Sequence, residues 1–322
     1  EATKTNDIEL MEPTSLINHS PNQPKLSAMH IENIPNSCFI AISNIPLSLT
    51  PPSLREALNR NRADQKCLKG LGNFPNVLKI LRQLMGDDVE FENFPQKLWS
   101  FQTEAITWSP LENKHDFNKI HERNFWAEYV IPLFKHFCIM NEGLIFSWLV
   151  INLLIEICLQ YTNIVNITRR KDGFEVIIME SSGPYSIEHI DHSIEDTWKL
   201  ITLTTNSLRN EILKYQDASI ETAKSLTAFG IQCICDKIAL IKTSLFSPTK
   251  RQVVELRSAN IPVTWDSRMN LMSVVELLAI LQNEYDLQKN SLKKLRRENN
   301  FLDPVDEKES VRYQFENTDF LE

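Results

Sequence analysis

The chain has 322 residues, with 34 Lys and Arg against 42 Asp and Glu for a net charge of −8, and is 42% hydrophobic and 24% charged; it can build a packed core and is long enough for one large or two small domains. Only seven residues are Gly, and loops that cradle phosphates need Gly at fixed offsets for φ > 0 and close approach. The close pair Gly70-Leu71-Gly72 is followed by Pro75 where a dinucleotide fingerprint or kinase loop needs a third Gly, and Gly-Lys-Ser/Thr, Gly-x-Ser-x-Gly and His-Glu-x-x-His do not occur, which argues against a nucleotide cofactor, a P-loop enzyme, a kinase or an elbow hydrolase.

Residues 1–52 carry Pro13, Pro21, Pro24, Pro35, Pro46, Pro51 and Pro52 among scattered apolar positions, the composition of a disordered tail. Cys38 to Ile42 is a short apolar patch within it, read as a strand or docking segment. From Ser53 the spacing turns helical and predicts a helical extension over 53–114. Phe117 to Phe137 has the period of one helix, which Pro132 must kink or split. The run 144–159 is the most apolar of the chain, but it contains Asn152 and Glu156 and lacks basic flanks, so a buried core segment is expected and not a membrane span.

Two short strands follow, 163–168 and 174–179, joined through Asp172-Gly173, a dipeptide that favours mirror-image hairpin turns. Ser186 is placed to cap a long helix reaching Leu213. A helix over 219–226, strands near 230–235, 237–246 and 252–256, and a helix over 273–299 complete an α/β domain spanning 115–300, with 301–322 as a flexible C-terminal tail. Six cysteines, at 38, 67, 138, 158, 233 and 235, form no Cys-x-x-Cys pair, and read as small buried hydrophobes in an intracellular chain, nuclear or cytoplasmic.

The order of helix, apolar segment, strand, hairpin, strand ending in Glu180, helix and strands resembles the PD-(D/E)XK nuclease-like fold, and within it a large uncharacterised fungal family with a degenerate active site. The residues that carry the likeness are Glu122 to Phe134, Lys171-Asp172-Gly173-Phe174-Glu175-Val176 leading into Glu180-Ser181-Ser182-Gly183-Pro184, and His189-x-x-His192-x-x-x-Asp196-Thr197-x-Lys199-Leu200. The resemblance covers roughly 115–285. It implies a mixed central sheet flanked by helices, and a site where carboxylates hold Mg²⁺ and a lysine activates water. Carried over, Glu122 and Glu180 are the metal-binding acids, Asn163 stands at the position of the strand Asp, and Ser182 stands where the lysine belongs. Two of four roles are therefore altered, and Lys199 is the candidate replacement, since His192, Asp196 and Lys199 share a helical face.

Those four residues, Glu122, Asn163, Glu180 and Lys199, form the candidate catalytic set, with Glu122 and Glu180 as the metal ligands. Arg169, Arg170 and Lys171, read as a hairpin beside that site, are candidate phosphate contacts, as is the cluster Lys293, Lys294, Arg296 and Arg297. The expected activity is a degenerate nuclease, nucleic-acid binding or weakly Mg-dependent, more readily inactive than active. The alternative is an intracellular interaction scaffold with a protein partner and no chemistry.

Overall fold

The structure, a computed structural model, describes residues 21–33, 38–42, 50–86, 89–90, 122–147, 165–182 and 187–316. Its centre is a mixed sheet, seven-stranded among the described residues, of β1 (Cys38–Ala41), β2 (Leu144–Ser147), β3 (Val165–Arg169), β4 (Glu175–Ser182), β5 (Thr227–Ile234), β6 (Lys237–Ser247) and β7 (Lys250–Asn260). The strands lie in the order β1-β7-β6-β5-β4-β3-β2. β2, β3 and β4 form an antiparallel meander, β4 and β5 are parallel, and β5, β6 and β7 are antiparallel again.

The helices are α1 (Ala28–Asn33), α2 (Pro52–Lys66), α3 (Pro75–Leu84), α4, α5 (Ile190–Ile212), α6 (Ile220–Ala223), α7 (Asn270–Asn299) and α8 (Val311–Glu316). Helix α4 is composite. Glu122–Phe125 leads into a π turn, Trp126–Val130, and then Ile131–Met140. Pro132 has no N–H for the carbonyl four residues back, so the widened turn stands where a regular ladder would break. The kink expected at Pro132 thus takes the form of this wide turn.

Helix α5 makes the parallel crossover from β4 to β5 and covers one face of the sheet, where Leu26, Ile40, Ile42, Ile178, Leu200, Ile201, Leu203, Ile241 and Val253 form an apolar cluster. Helices α4 and α7 cover the other face, over a larger core that includes Phe134, Phe137, Ile177, Met179, Phe229, Leu277 and Tyr285. Alternation along β4 sends Ile177 and Met179 to one side and Ile178 and Glu180 to the other.

Four expectations need correction. The segment 1–52 is not a tail throughout: β1 pairs in parallel with β7 from Cys38↔Arg251 to Ala41↔Val254, and Lys25 and Leu26 are buried. The extension 53–114 is helical in α2 and α3, with 91–114 outside the described residues, but it is joined to the sheet, since Asn61 and Gln65 of α2 hydrogen-bond the backbone of Glu255 and Ser258 on β7. The C-terminal segment is docked as far as α8, with fully buried Val311 donating its N–H to the Ala218 carbonyl at 2.8 Å. The long helix starts at Ile190 after His189, and not from Ser186, which lies outside the described residues. Of the apolar run 144–159, Leu144–Ser147 is strand β2 and the rest lies outside the described residues.

Candidate functional site

Glu180 stands near the C-terminal end of β4, 3% exposed, facing α5. Lys199, two turns into α5, donates its ammonium to Oε1 of Glu180 at 2.7 Å and to Oδ1 of Asp196 at 3.0 Å. The i, i+3 spacing puts Asp196 and Lys199 one turn apart on the face that meets the strand. Burial pushes Glu180 up to about 8, against the pull of Lys199 and with Asp196 adding to the rise. Burial opposes the Lys199 ammonium too, but Glu180 and Asp196 outweigh it and hold it above its ordinary value. Oε2 of Glu180 is buried without a hydrogen-bond partner among the described residues.

Two residues further along β4, Ser182 is fully buried and accepts from Nε2 of Gln232 on β5 at 3.0 Å. Gln232 donates also to the Ser193 carbonyl at 3.1 Å and accepts from Thr197 Oγ1 at 2.8 Å. Thr197 in turn accepts the N–H of Lys25 at 3.2 Å. The Lys25 ammonium closes on Glu188, whose other oxygen takes the Asn22 N–H at 2.8 Å. Ser182 is therefore part of a buried hydrogen-bond network that runs through Gln232 and Thr197 to the N-terminal segment and its Lys25–Glu188 ion pair.

The structure thus brings Glu180, Asp196 and Lys199 together. Asn163 and the side chain of Glu122 lie outside the described residues. His192 does not join the cluster; it is exposed, its ring 5.9 Å from that of His189. Gln232, Lys25 and Glu188 were not among the residues the sequence singled out, and Thr197 was marked only as part of the helix motif. Gln232 left a signal, a long amide inside the apolar run Phe229 to Ile234; Lys25 left none, because nothing local tells a buried lysine from an exposed one.

The basic hairpin requires two corrections. Arg169 is buried, held by Asp172 at 2.7 and 2.6 Å and by the fully buried Glu211, so the exposed cations are Arg170 and Lys171 alone. The hairpin is also not beside Glu180. It lies at the other end of β4, about 20 Å away at roughly 3.3 Å per residue.

Among the described residues no group of three His, Cys, Asp or Glu is arranged to hold a metal ion. The acids at the site, Glu180 and Asp196, both contact Lys199, so in this arrangement the ammonium occupies the carboxylate oxygens that face it. No protein-family model, no curated protein and no solved structure matches this chain.

Proposed function

We propose that this chain is a degenerate PD-(D/E)XK-like protein that acts by binding a partner and not by hydrolysis. The observation that carries this reading is the Lys199 ammonium spanning Glu180 and Asp196 next to a Ser182 already committed to Gln232. Such a nuclease needs ionised carboxylates free to hold a cation and a lysine free to meet water. Here the lysine takes the place of the cation, and the burial that raises Glu180 works against the charge a metal ligand must carry. The order α4, β2, β3, β4, α5, β5 follows the ordering on which the resemblance rests and supports the fold assignment.

The competing reading, retained Mg-dependent cleavage of nucleic acid, has one observation on its side: Oε2 of Glu180 has no partner among the described residues. Thermal unfolding of the full chain with and without millimolar Mg²⁺ or Mn²⁺, run beside Glu180→Gln, separates the two. A bound metal stabilises by RT ln(1 + [M]/Kd). No metal-dependent rise in Tm is expected for either protein, together with no nicking of plasmid DNA. A rise in the native chain that Glu180→Gln removes would replace the binding reading with the enzymatic one.

A further inference from the structure

At the end of the sheet opposite Glu180, the described residues gather cations without an ion-pair partner among them and the most exposed of their large apolar side chains. Arg170 and Lys171 sit on the β3–β4 hairpin and Lys293 on α7, all exposed and without an ion-pair partner among the described residues. Helix α7 carries Lys289, Lys293 and Arg296 at i, i+4 and i+7, on one face. Arg296 reaches Asp172 of the hairpin at 3.3 Å, and Lys289 reaches Asn141, next after α4, at 3.4 Å. The Arg170 N–H bonds the Gly143 carbonyl at 2.8 Å. The end of α4, the hairpin tip and the second half of α7 are thereby tied together. Of the acids here, Asp172, Glu211, Asp286 and Asp303 are engaged by Arg169, Arg296, Lys214, Lys289 and Arg297, and Glu142 is exposed.

The three most exposed large apolar side chains among the described residues fall on the elements so tied: Phe301 at 79%, Met140 at 73% and Ile139 at 71%, with Leu302 beside Phe301 at 65%. Ile139 and Met140 end α4 one residue before Asn141. Phe301 and Leu302 follow directly on α7, their N–H groups bonded to the Glu298 and Arg297 carbonyls.

We propose that this end of the molecule is a docking surface for an anionic lipid bilayer. Unpaired cations attract any phosphate-bearing polyanion, but a nucleic-acid backbone offers nothing to Ile139, Met140, Phe301 and Leu302. A bilayer interface accepts both, the cations at the headgroups and the apolar side chains at the acyl boundary. The proposed contact is with the bilayer surface; no helix among the described residues is long and apolar enough to span. The inference is independent of the Glu180 site.

The test is co-sedimentation of the full chain with vesicles of phosphatidylcholine alone and of phosphatidylcholine mixed with phosphatidylserine. Binding is expected to the mixed vesicles and not to the neutral ones. The double variant Arg170→Glu/Lys171→Glu should bind at least roughly 30-fold more weakly, about fivefold for each lost cation and more for the two acids gained. Ile139→Ser/Met140→Ser should also weaken binding, and in particular remove the part that survives high salt. Both pairs are exposed, so an unchanged Tm verifies that each variant is folded, and Glu180→Gln should bind vesicles like the native chain. No binding to mixed vesicles, or binding that neither variant weakens, overturns the proposal. A labelled DNA duplex bound in preference to vesicles, and lost in Arg170→Glu/Lys171→Glu alone, overturns it in favour of nucleic acid.

Discussion

Oε1 of Glu175 accepts the side-chain N–H of Asn166 at 2.5 Å, while Oε2 of Glu175 and Oδ1 of Asn166 are both buried acceptors without a donor among the described residues. A proton on Oε2 donated to Oδ1 would satisfy both at once. Burial pushes Glu175 up to about 7 from an ordinary 4.5, with Asn166 pulling the other way. The sign follows from which state holds the proton. Below the unfolded value both states hold it and the group costs nothing. Between 4.5 and about 7 the unfolded chain ionises while the fold does not, so stability falls as pH rises, and above about 7 the full cost is present. Glu175→Gln keeps an amide in place of the acid and removes that cost. It should gain on the order of 2 kcal/mol relative to the native chain on going from about pH 5 to about pH 8, read from denaturant unfolding at each pH. A constant difference between the two proteins across that range would mean that Glu175 is not held neutral.

Helices and strands were legible where a local period or turn announced them. Gly173 has φ 70°, as Asp-Gly before a strand leads one to expect, but the turn is not the mirror-image pair. Asp172 is not in the left-handed region, and the Gly173 N–H returns to the Arg169 carbonyl at 2.8 Å, closing a four-residue loop with Gly173 as its left-handed end. The burial of Arg169 was not legible, since its partner Glu211 comes 42 residues later. Nor was the role of Gly230. A Cβ there would stand 2.6 Å from Ile241 Cγ1 and 2.9 Å from Leu200 Cγ, so the missing side chain is what lets α5 lie so close to β5 and β6. Gly230→Ala should cost about 1–3 kcal/mol by overpacking, measured as a fall in denaturant midpoint at unchanged m-value. An unchanged midpoint would mean that α5 can be lifted off the sheet without loss.

At the scale of the whole molecule, distant segments are fastened by buried charges. Glu276 on α7 is fully buried and accepts the N–H groups of Gly70 at 2.9 Å and Leu71 at 2.7 Å, together with Arg257 Nε of β7 at 3.1 Å. Arg257 donates further to the Asn61 carbonyl of α2 at 3.1 Å. The segment of the one close glycine pair, set aside in the sequence as no phosphate loop, therefore does hold a carboxylate through the backbone N–H groups of Gly70 and Leu71, and that carboxylate belongs to the chain. No local pattern could have shown this, because the carboxylate arrives 206 residues after Gly70. Glu276→Gln leaves Arg257 buried without its counter-charge and should cost about 3 kcal/mol, seen as a lower Tm with α2, α3 and α7 losing amide protection together. Loss confined to α3 would show that the brace does not join the three elements.

Strand β1 carries a consequence for how the protein is made. It lies at one edge of the sheet formed by the described residues, and its partner there is β7, with Cys38 opposite Arg251. A ribosome working at 5–20 residues per second therefore releases Cys38 to Ala41 about 10–40 seconds before the strand they pair with exists. Through that interval an apolar segment must remain without its neighbour, and the sheet is completed only after its first strand has waited for its last.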